Sequence, residues 1–335
     1  MGNKKTPTQF NVFTLFSNMF APLQDSIIAR AVSGGVININ LINIRDFADN
    51  KHKKVDDYTF GGGTGLVMQA EPIVAAVESV SPPDDNALNV LLTPQGRKFD
   101  QSMAEFLSTQ PKINLICGHY EGIDQRAIDA LEPLELSLGD FVLTGGEIPA
   151  MAIIDATARC VDGVIAEQTD ESFYTSALEY PQYTRPACWR GAEVESVLLS
   201  GNHKEIDKWR ARESYEVTKK KRPDLLEPKK IGIIMGRFDQ IGREHMELAE
   251  HGIKELNLDK VIFVPMVDVI DGAESSPAYM RARAVAEAIN YNLKFEIYVG
   301  ALKQGAEFSM DDMREDIARR TAGAELHWLG EEKGD

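Results

Sequence analysis

The chain is poor in what several large protein classes require. Its 335 residues hold three cysteines, Cys117, Cys160 and Cys188, with neither the density of a disulfide framework nor the paired spacing of a metal site. They are expected to be reduced, buried or incidental. No apolar run approaches the roughly 20 residues that span a bilayer, and no secretory apolar region follows the start. The expected compartment is therefore the cytoplasm, with no membrane partner. Met1-Gly-Asn-Lys-Lys-Thr6 meets a myristoylation pattern in form, but it is short and is read as a disordered leader. Phe60-Gly-Gly-Gly-Thr-Gly-Leu66 is rich in glycine yet lacks the Gly-Lys-Ser/Thr ending of a phosphate loop, which argues against ATP hydrolysis. A flexible substrate-contacting loop fits it better. Cations are scarce too: 36 Lys and Arg face 52 Asp and Glu, a net charge of −16. That excludes a uniformly basic nucleic-acid binder, though not one whose cations are gathered in one place.

They are gathered. Lys51, Lys53 and Lys54 cluster, and Lys204, Lys208, Arg210, Arg212, Lys219, Lys220, Lys221 and Arg222 form a second concentration. Either run alone reads as a solvated face. Hydrophobic content of 43% and charged content of 26% are those of an ordinary globular protein, and the length suits two domains of roughly 100–200 residues each.

Alternating apolar residues predict strands at Phe10–Phe16 and Val36–Ile44, and two further strands are read at Leu88–Leu92 and Ile113–Cys117. Helical spacing predicts helices over Phe20–Val32, stopped by Gly34-Gly35, over Pro72–Val80, and through Leu107 with Asp100 as its cap. Strand, loop and helix in repetition imply an α/β fold with a mainly parallel sheet, whose ligands sit beyond the carboxyl ends of the strands. Three unusual loops fall at such ends: Thr93–Lys98, Gly118–Asp124 and Leu138–Gly146. The last belongs to Leu134–Ala150, which alternates as a strand, turns at Gly139-Asp140, resumes with Phe141-Val-Leu143, and stops at Gly145-Gly146 before an apolar helix ending near Val161. Alone it is a change of direction; with two companions it is a ligand cradle. Beyond it, 162–176 reads as a mobile linker. Glu179–Pro186 is rich in aromatic residues and proline, and Val197–Arg210 opens a basic amphipathic helix. Aromatic rings beside Lys and Arg suit single-stranded RNA.

Several of these stretches together resemble one family. Arg45-Asp-Phe, Val55-Asp-Asp57, Gly61-Gly-Gly-Thr-Gly65, Thr93-Pro-Gln-Gly-Arg-Lys98, Cys117-Gly-His-Tyr-Glu-Gly-Ile-Asp124, Leu138-Gly-Asp-Phe-Val-Leu-Thr-Gly-Gly-Glu147, Tyr183-Thr-Arg-Pro186, Leu198-Leu-Ser-Gly-Asn-His203 and Arg222-Pro-Asp-Leu-Leu226 occur in the order found in the TrmD family. These are bacterial tRNA (guanine-N1)-methyltransferases of the SPOUT superfamily. The resemblance runs from about Phe10 to Leu226. It implies a homodimer that binds S-adenosylmethionine in a trefoil-knotted parallel sheet, with Pro94, Gly118, Tyr120, Glu121, Leu138, Gly139, Asp140, Phe141, Val142, Leu143, Gly145 and Gly146 around the cofactor. It also implies Arg159 as a catalytic arginine, the guanine just 3′ of the anticodon as target, a tRNA anticodon stem-loop as partner, and assistance from Mg2+.

The chemistry asks for two further groups. Guanine N1 carries a proton at neutral pH, and a carboxylate that removes it contributes roughly 10²–10⁴ in rate. An arginine near O6 stabilises the charge that develops there. The target base must also leave its stack, at a cost of roughly a few kcal/mol. The family pattern for the base is Asp-Ser-Phe, whereas this chain has Asp170-Glu-Ser-Phe173 after a linker that looks shorter. Alignment on Ser172-Phe173 makes Glu171 the base, and a shortened linker brings Asp170 forward instead. The alternative is that both are plain linker carboxylates of a tRNA-binding relative without activity. His119 replaces the usual arginine, and Phe141 a common tyrosine.

The chain continues past the usual end of the family. Lys230-Ile-Gly-Ile-Ile-Met-Gly-Arg-Phe-Asp…His245 resembles the opening of nicotinamide or nicotinate mononucleotide adenylyltransferases, whose His-x-Gly-His motif is here Gly242-Arg-Glu-His245. The first histidine and the glycine are absent, and Glu244 repels phosphate. The expectation is a degenerate Rossmann-like α/β segment, with strands at Val261–Pro265 and Phe295–Val299 and helices near Pro277–Asn290 and Met310–Ala322. An enzyme of NAD synthesis is the remotest reading. The expected organisation is a methyltransferase domain at 1–161, the linker at 162–176, a helical tRNA-binding region at 177–228 and the degenerate domain at 229–335.

Overall fold

The computed structural model describes residues 6–63, 65–82, 85–165, 172–175, 177–227, 229–266, 276–304, 309–321 and 323–331. The leader Met1–Lys5, the carboxylates Asp170 and Glu171, and Ala322 lie outside the described residues.

Five parallel strands form the first sheet. In chain order they are β1 (Thr8–Thr14), β2 (Ile37–Asn43), β5 (Leu88–Lys98), β6 (Lys112–Cys117) and β7 (Leu134–Ser137). A short antiparallel hairpin, β3 (Asp56–Tyr58) and β4 (Leu66–Met68), intervenes and carries the glycine-rich loop at its tip. The sheet order is β2-β1-β6-β5-β7. Strands of a sheet covered on both faces must be apolar on both, and the side chains divide accordingly. Phe10, Val12, Val90, Leu92 and Leu115 face one core, with helices α1 (Ser26–Ser33), α3 (Gln101–Ser108) and α5 (Glu147–Arg159). Phe13, Leu91 and Ile116 face the other, with α2 (Ala70–Val80) and α4 (Gln125–Leu131).

A row of asparagines crosses four of these strands. Asn40 donates to Asn11 at 3.0 Å, Asn11 to Asn114 at 2.8 Å, and Asn114 to Asn89 at 2.9 Å. Asn11 and Asn114 are fully buried. A slip of one residue in any strand would turn a buried amide away from its partner, so the row fixes the register.

Three local expectations fail for identifiable reasons. The helix expected over Phe20–Val32 is split into a 3-10 segment, Ser17–Gln24, and α1, with Asp25 extended between them. Pro22 lies inside the first piece and has no amide hydrogen to continue an α-helix. The strand expected to stop at Leu92 runs to Lys98, because both Leu92 and Arg97 pair with Leu136 while the residues between bulge out. Phe141–Leu143 does not resume a strand; it forms no ladder, and Phe141 and Val142 are exposed.

Beyond α5 come a small hairpin, β8 (Cys188–Trp189) and β9 (Ala192–Glu193), and helices α6 (Ser196–Leu199) and α7 (His203–Lys221). The single helix expected from Val197 is two, broken where Gly201 takes a φ of +71°, a conformation open to glycine. Within the basic region of α7, Lys208 pairs with Glu205 at 2.8 Å and Arg212 with Glu213 at 3.0 Å. Part of that cationic concentration is thus neutralised locally.

The remainder forms a second parallel sheet in the order β12-β11-β10-β13, from β10 (Lys230–Gly236), β11 (Lys260–Pro265), β12 (Phe295–Ile297) and β13 (Glu325–Glu331), with helices α8 (Arg243–Glu255), α9 (Ala278–Ile289), α10 (Gly300–Gln304) and α11 (Met310–Arg320). The last strand was not expected from the sequence. One continuous apolar core joins both sheets, with Phe106 and Leu107 in the same cluster as Ile289 and Phe295. Among the described residues no helix is long and apolar enough to cross a membrane.

Candidate methyl-donor site

The three unusual loops converge. The bulge after Leu92, the turn after Cys117 and the segment after Ser137 line one cavity of about 320 Å³, at the small end of the roughly 300–1,000 Å³ of small-molecule sites. Ten of the twelve expected cofactor residues lie on it: Pro94, Gly118, Tyr120, Glu121, Leu138, Phe141, Val142, Leu143, Gly145 and Gly146. Gly139 and Asp140 do not. The Gly139 carbonyl accepts from the Ser137 hydroxyl at 3.1 Å and the Phe141 amide at 2.9 Å, shaping the turn. Asp140 points outward, 3.5 Å from Lys98.

Apolar walls outside the expected set complete the cavity. Leu92, Ile123, Ile128 and Leu136 all line the cavity. For Leu92 and Leu136 a signal was present, since residues at a strand's carboxyl end face whatever its loop encloses, but alternation alone does not say which strand ends meet. Ile123, in the turn after β6, and Ile128, on α4, have no such signal.

Glycine makes the close approaches possible. A Cβ on Gly96 would stand 2.4 Å from the Leu136 amide nitrogen, so β5 and β7 touch there only because that atom is missing. The Gly146 amide donates to the Gly118 carbonyl at 2.9 Å, which ties the loop after β7 to the loop after β6. A further tie holds Glu121, whose amide donates to Leu66 on the β3–β4 hairpin at 3.0 Å.

Beneath the cavity is a buried polar group that the motifs name without explaining. Glu147, 1% exposed, opens α5 and accepts a 2.8 Å hydrogen bond from the Thr14 hydroxyl at the end of β1. A carboxylate is favoured at a helix start by the helix dipole. The position usually held by arginine is His119, its ring 5.0 Å from Phe16 and 5.2 Å from Tyr120. Its Nδ1 is buried and has no hydrogen-bond partner among the described residues, leaving one polar atom for a bound molecule or water. Apolar walls, backbone groups brought close by glycine, and a few polar atoms suit a nucleoside carrying an amino-acid chain.

Arg159 lies elsewhere. It ends the 13-residue helix α5 that begins just after Gly146, which at 1.5 Å per residue puts the two about 20 Å apart. It lines a second cavity of about 620 Å³ with Pro22, Leu23, Ile148, Met151 and Asp155. Of the linker, the structure places the residues just after the candidate bases. The Ser172 hydroxyl accepts from the Glu179 amide at 2.9 Å, and the Leu178 amide donates to Thr218 of α7 at 2.8 Å.

In the C-terminal segment, His245 accepts a 3.1 Å hydrogen bond on Nδ1 from the Gly242 amide, closing the first turn of α8. Glu244 stands 3.5 Å from the same ring. Among the described residues no three His, Cys, Asp or Glu side chains are grouped to hold a metal ion.

The model of a family described as tRNA (Guanine-1)-methyltransferase TrmD matches residues 8–228. A tRNA (guanine-N(1)-)-methyltransferase of Alkaliphilus oremlandii (strain OhILAs) is 51% identical over 246 residues, covering 70% of this chain and 97% of that protein. The protein of that name from Moorella thermoacetica is 52% identical over 222 residues, 64% of this chain and 89% of its own length. That of Clostridium kluyveri is 48% identical over 248 residues, 73% and 98% of the two chains. Residues beyond 228 fall outside the family match. With its cradle loops lying inside the matched span, the chain belongs to the TrmD family of tRNA (guanine-1)-methyltransferases.

Proposed function

We propose that the chain transfers a methyl group from S-adenosylmethionine to N1 of the guanine just 3′ of a tRNA anticodon. The observation that carries this is the convergence of ten expected cofactor residues on one cavity inside the family match. S-adenosylmethionine, when bound, supplies an electrophilic methyl group on a sulfonium. Leu92, Ile123, Leu136 and Leu138 would enclose its apolar parts, and the close-set backbone of Gly145 and Gly146 would orient it. Asp170 or Glu171 takes the N1 proton of the guanine, and the freed lone pair is the nucleophile. Arg159 stabilises the charge spread onto O6.

The distance of about 20 Å along α5 supports a homodimer, since a second copy can supply the arginine that one chain leaves far from its own cradle. Exposed Phe16, Met19 and Ile148 give such a dimer an apolar face. A trefoil knot is consistent with the close passage of β7 at Gly96. The anticodon stem-loop would meet the hairpin and α7: Trp189 is exposed, with Arg190 4.7 Å over its ring, and rings of this kind stack on unpaired bases. Mg2+ characteristically takes one or two carboxylates together with phosphate oxygens, so it fits a site shared with bound RNA better than a protein cage. A tRNA substrate places the activity in the cytoplasm. The domain organisation follows as 1–161, 162–176, 177–228 and 229–335. The last is a Rossmann-like relative of adenylyltransferases without their activity, because Gly242 and Glu244 stand where their motif has its first histidine and its glycine.

The test is transfer of labelled methyl from S-adenosylmethionine to unmodified tRNA, with guanine or adenine at the target position. Methylation of the guanine form alone is expected. Asp170→Asn and Glu171→Gln, compared separately in single turnovers, assign the base; if neither slows transfer, the proposed mechanism is wrong. A chain that binds tRNA and never methylates it is the non-catalytic alternative.

A further inference from the structure

The segment beyond residue 228 grips the methyltransferase at points that bear on the site. On α11, Arg320 lies 2.7 Å from the buried carboxylate of Glu105 on α3 and 2.7 Å from Asp316. Asp316 in turn accepts from the Tyr298 hydroxyl at 2.6 Å and pairs with Arg319. The Arg320 guanidinium also lies 4.5 Å from the centre of the Tyr174 ring, with that of Arg319 at 5.4 Å. Tyr174 is three residues beyond Glu171. A cation over an aromatic face is attracted by the ring quadrupole, more strongly when shielded from water, and the Arg320 side chain is only 17% exposed.

A second contact reaches the cradle. Arg97, 9% exposed, ends the bulge that lines the cavity and donates to the Phe295 carbonyl at 2.7 Å. Glu135, on the cavity wall, accepts from the Tyr291 hydroxyl at 2.9 Å. Groups beside the second sheet are thus fixed to the bulge and the last strand of the first.

We propose that the C-terminal segment is a positioning element for methyl transfer: Arg319 and Arg320 hold the Tyr174 ring, and so fix the linker just after the base carboxylates, while Arg97 and Glu135 join the cradle to the same segment. This rests on the reading of the linker carboxylate as the base. Tyr174 is a positioning residue and touches no reacting atom. A rotation of the linker by a small distance is enough to matter, because proton removal requires a carboxylate within hydrogen-bond reach of N1.

The full chain with Tyr174→Ala, Tyr174→Phe and the double change Arg319→Gln/Arg320→Gln tests this, in single turnovers at saturating tRNA and S-adenosylmethionine. Hydrogen exchange of residues 172–178 is followed alongside. Tyr174→Ala is expected to slow transfer about 10- to 100-fold, with unchanged cofactor affinity and faster exchange in the linker. Tyr174→Phe keeps the ring under the guanidinium groups but loses the hydroxyl that bonds Arg319, so its rate should fall between those of the unmutated and alanine forms. The double arginine change also strands Glu105 and Asp316, so its rate is referred to the folded fraction by circular dichroism. In that fraction, adding Tyr174→Ala to it should slow transfer no further. Unaltered transfer by Tyr174→Ala, or full additivity of Tyr174→Ala with the arginine changes, overturns the positioning role while leaving the function standing. Failure of the unmutated chain to methylate overturns the functional reading and the positioning role with it.

Discussion

Gly146 and Cys117 stand so close that one added carbon on the glycine would lie 2.6 Å from the Cys117 Cα. The same carbon would be 3.0 Å from the Gly118 amide nitrogen. Both obstacles are backbone, so no side-chain rotation relieves them. Gly146→Ala must therefore push the loop after β7 away from the loop after β6, at about 1–3 kcal/mol of overpacking. Titration calorimetry with S-adenosylmethionine should show binding lost or severely weakened while circular dichroism keeps its α/β signature. Normal affinity in this variant would mean that the cradle opens more freely than its geometry suggests.

Removing Arg320 should cost stability as well as position. Arg320→Met leaves the Glu105 and Asp316 carboxylates buried, 4% and 7% exposed, without their shared cation. Stranding one side of a buried ion pair costs about 3–5 kcal/mol. Urea unfolding measures it. A loss below about 1 kcal/mol would place the cluster among solvated surface pairs.

The three thiols should differ in reactivity. Cys117 and Cys160 are buried and Cys188 is exposed. Burial, with the Glu147 carboxylate as a lesser cause, pushes the Cys117 thiol well up, and burial also raises Cys160. A raised thiol yields less thiolate at any given pH, and the thiolate is the form that reacts. Brief iodoacetamide treatment of the native chain should modify Cys188 first, read by peptide mass spectrometry. Cys117 labelled ahead of Cys188 would contradict the packing around Gly146.

How much of this could be read beforehand depends on the range over which each residue acts. Asp100 and Asp124 begin helices through bonds to amides three and two residues on, and local rules of that kind are visible in a string of letters. Alternation along a strand is equally local, so β1 and β2 were legible. The asparagine row was not, because its members lie up to 103 residues apart and each alone is an ordinary polar position. Phe141–Val142 reads as strand because β-propensity reflects a half-buried surface, and here the loop finds no neighbouring strand. For the site, the motifs identified the cradle's glycines, whereas the roles of Leu92 and Leu136 come from strands meeting in space and the Thr14–Glu147 bond from a strand end meeting a helix start. The bulge in β5 shows the same limit: nothing near Thr93 says that Leu92 and Arg97 will share Leu136.

Asp124 offers a test by acid. Its carboxylate accepts from the Arg126 side chain and amide, which holds it at about 2 against an ordinary 3.8. A depressed carboxylate contributes stability that is fully present above its unfolded value and is lost as pH falls through the folded one. The difference in Tm between the unmutated chain and Asp124→Ala should hold steady above 3.8 and shrink toward about 2. A difference that vanishes well above 3.8 would mean that the cap is not held by this charge.

The bond from Arg97 to Phe295 spans 198 residues, and that span has a consequence for how the protein is made. Ribosomes extend chains at about 5–20 residues per second, so the cradle and the tail are synthesised many seconds apart. Until the tail arrives, the face of α3 around Phe106 and Leu107 lacks the cover of Ile289 and Phe295 that completes their shared core. The nascent methyltransferase therefore passes through an interval with apolar surface exposed, when chaperones have most to offer it. The strand β13 can pair with β10 only long after the matched residues 8–228 have been synthesised.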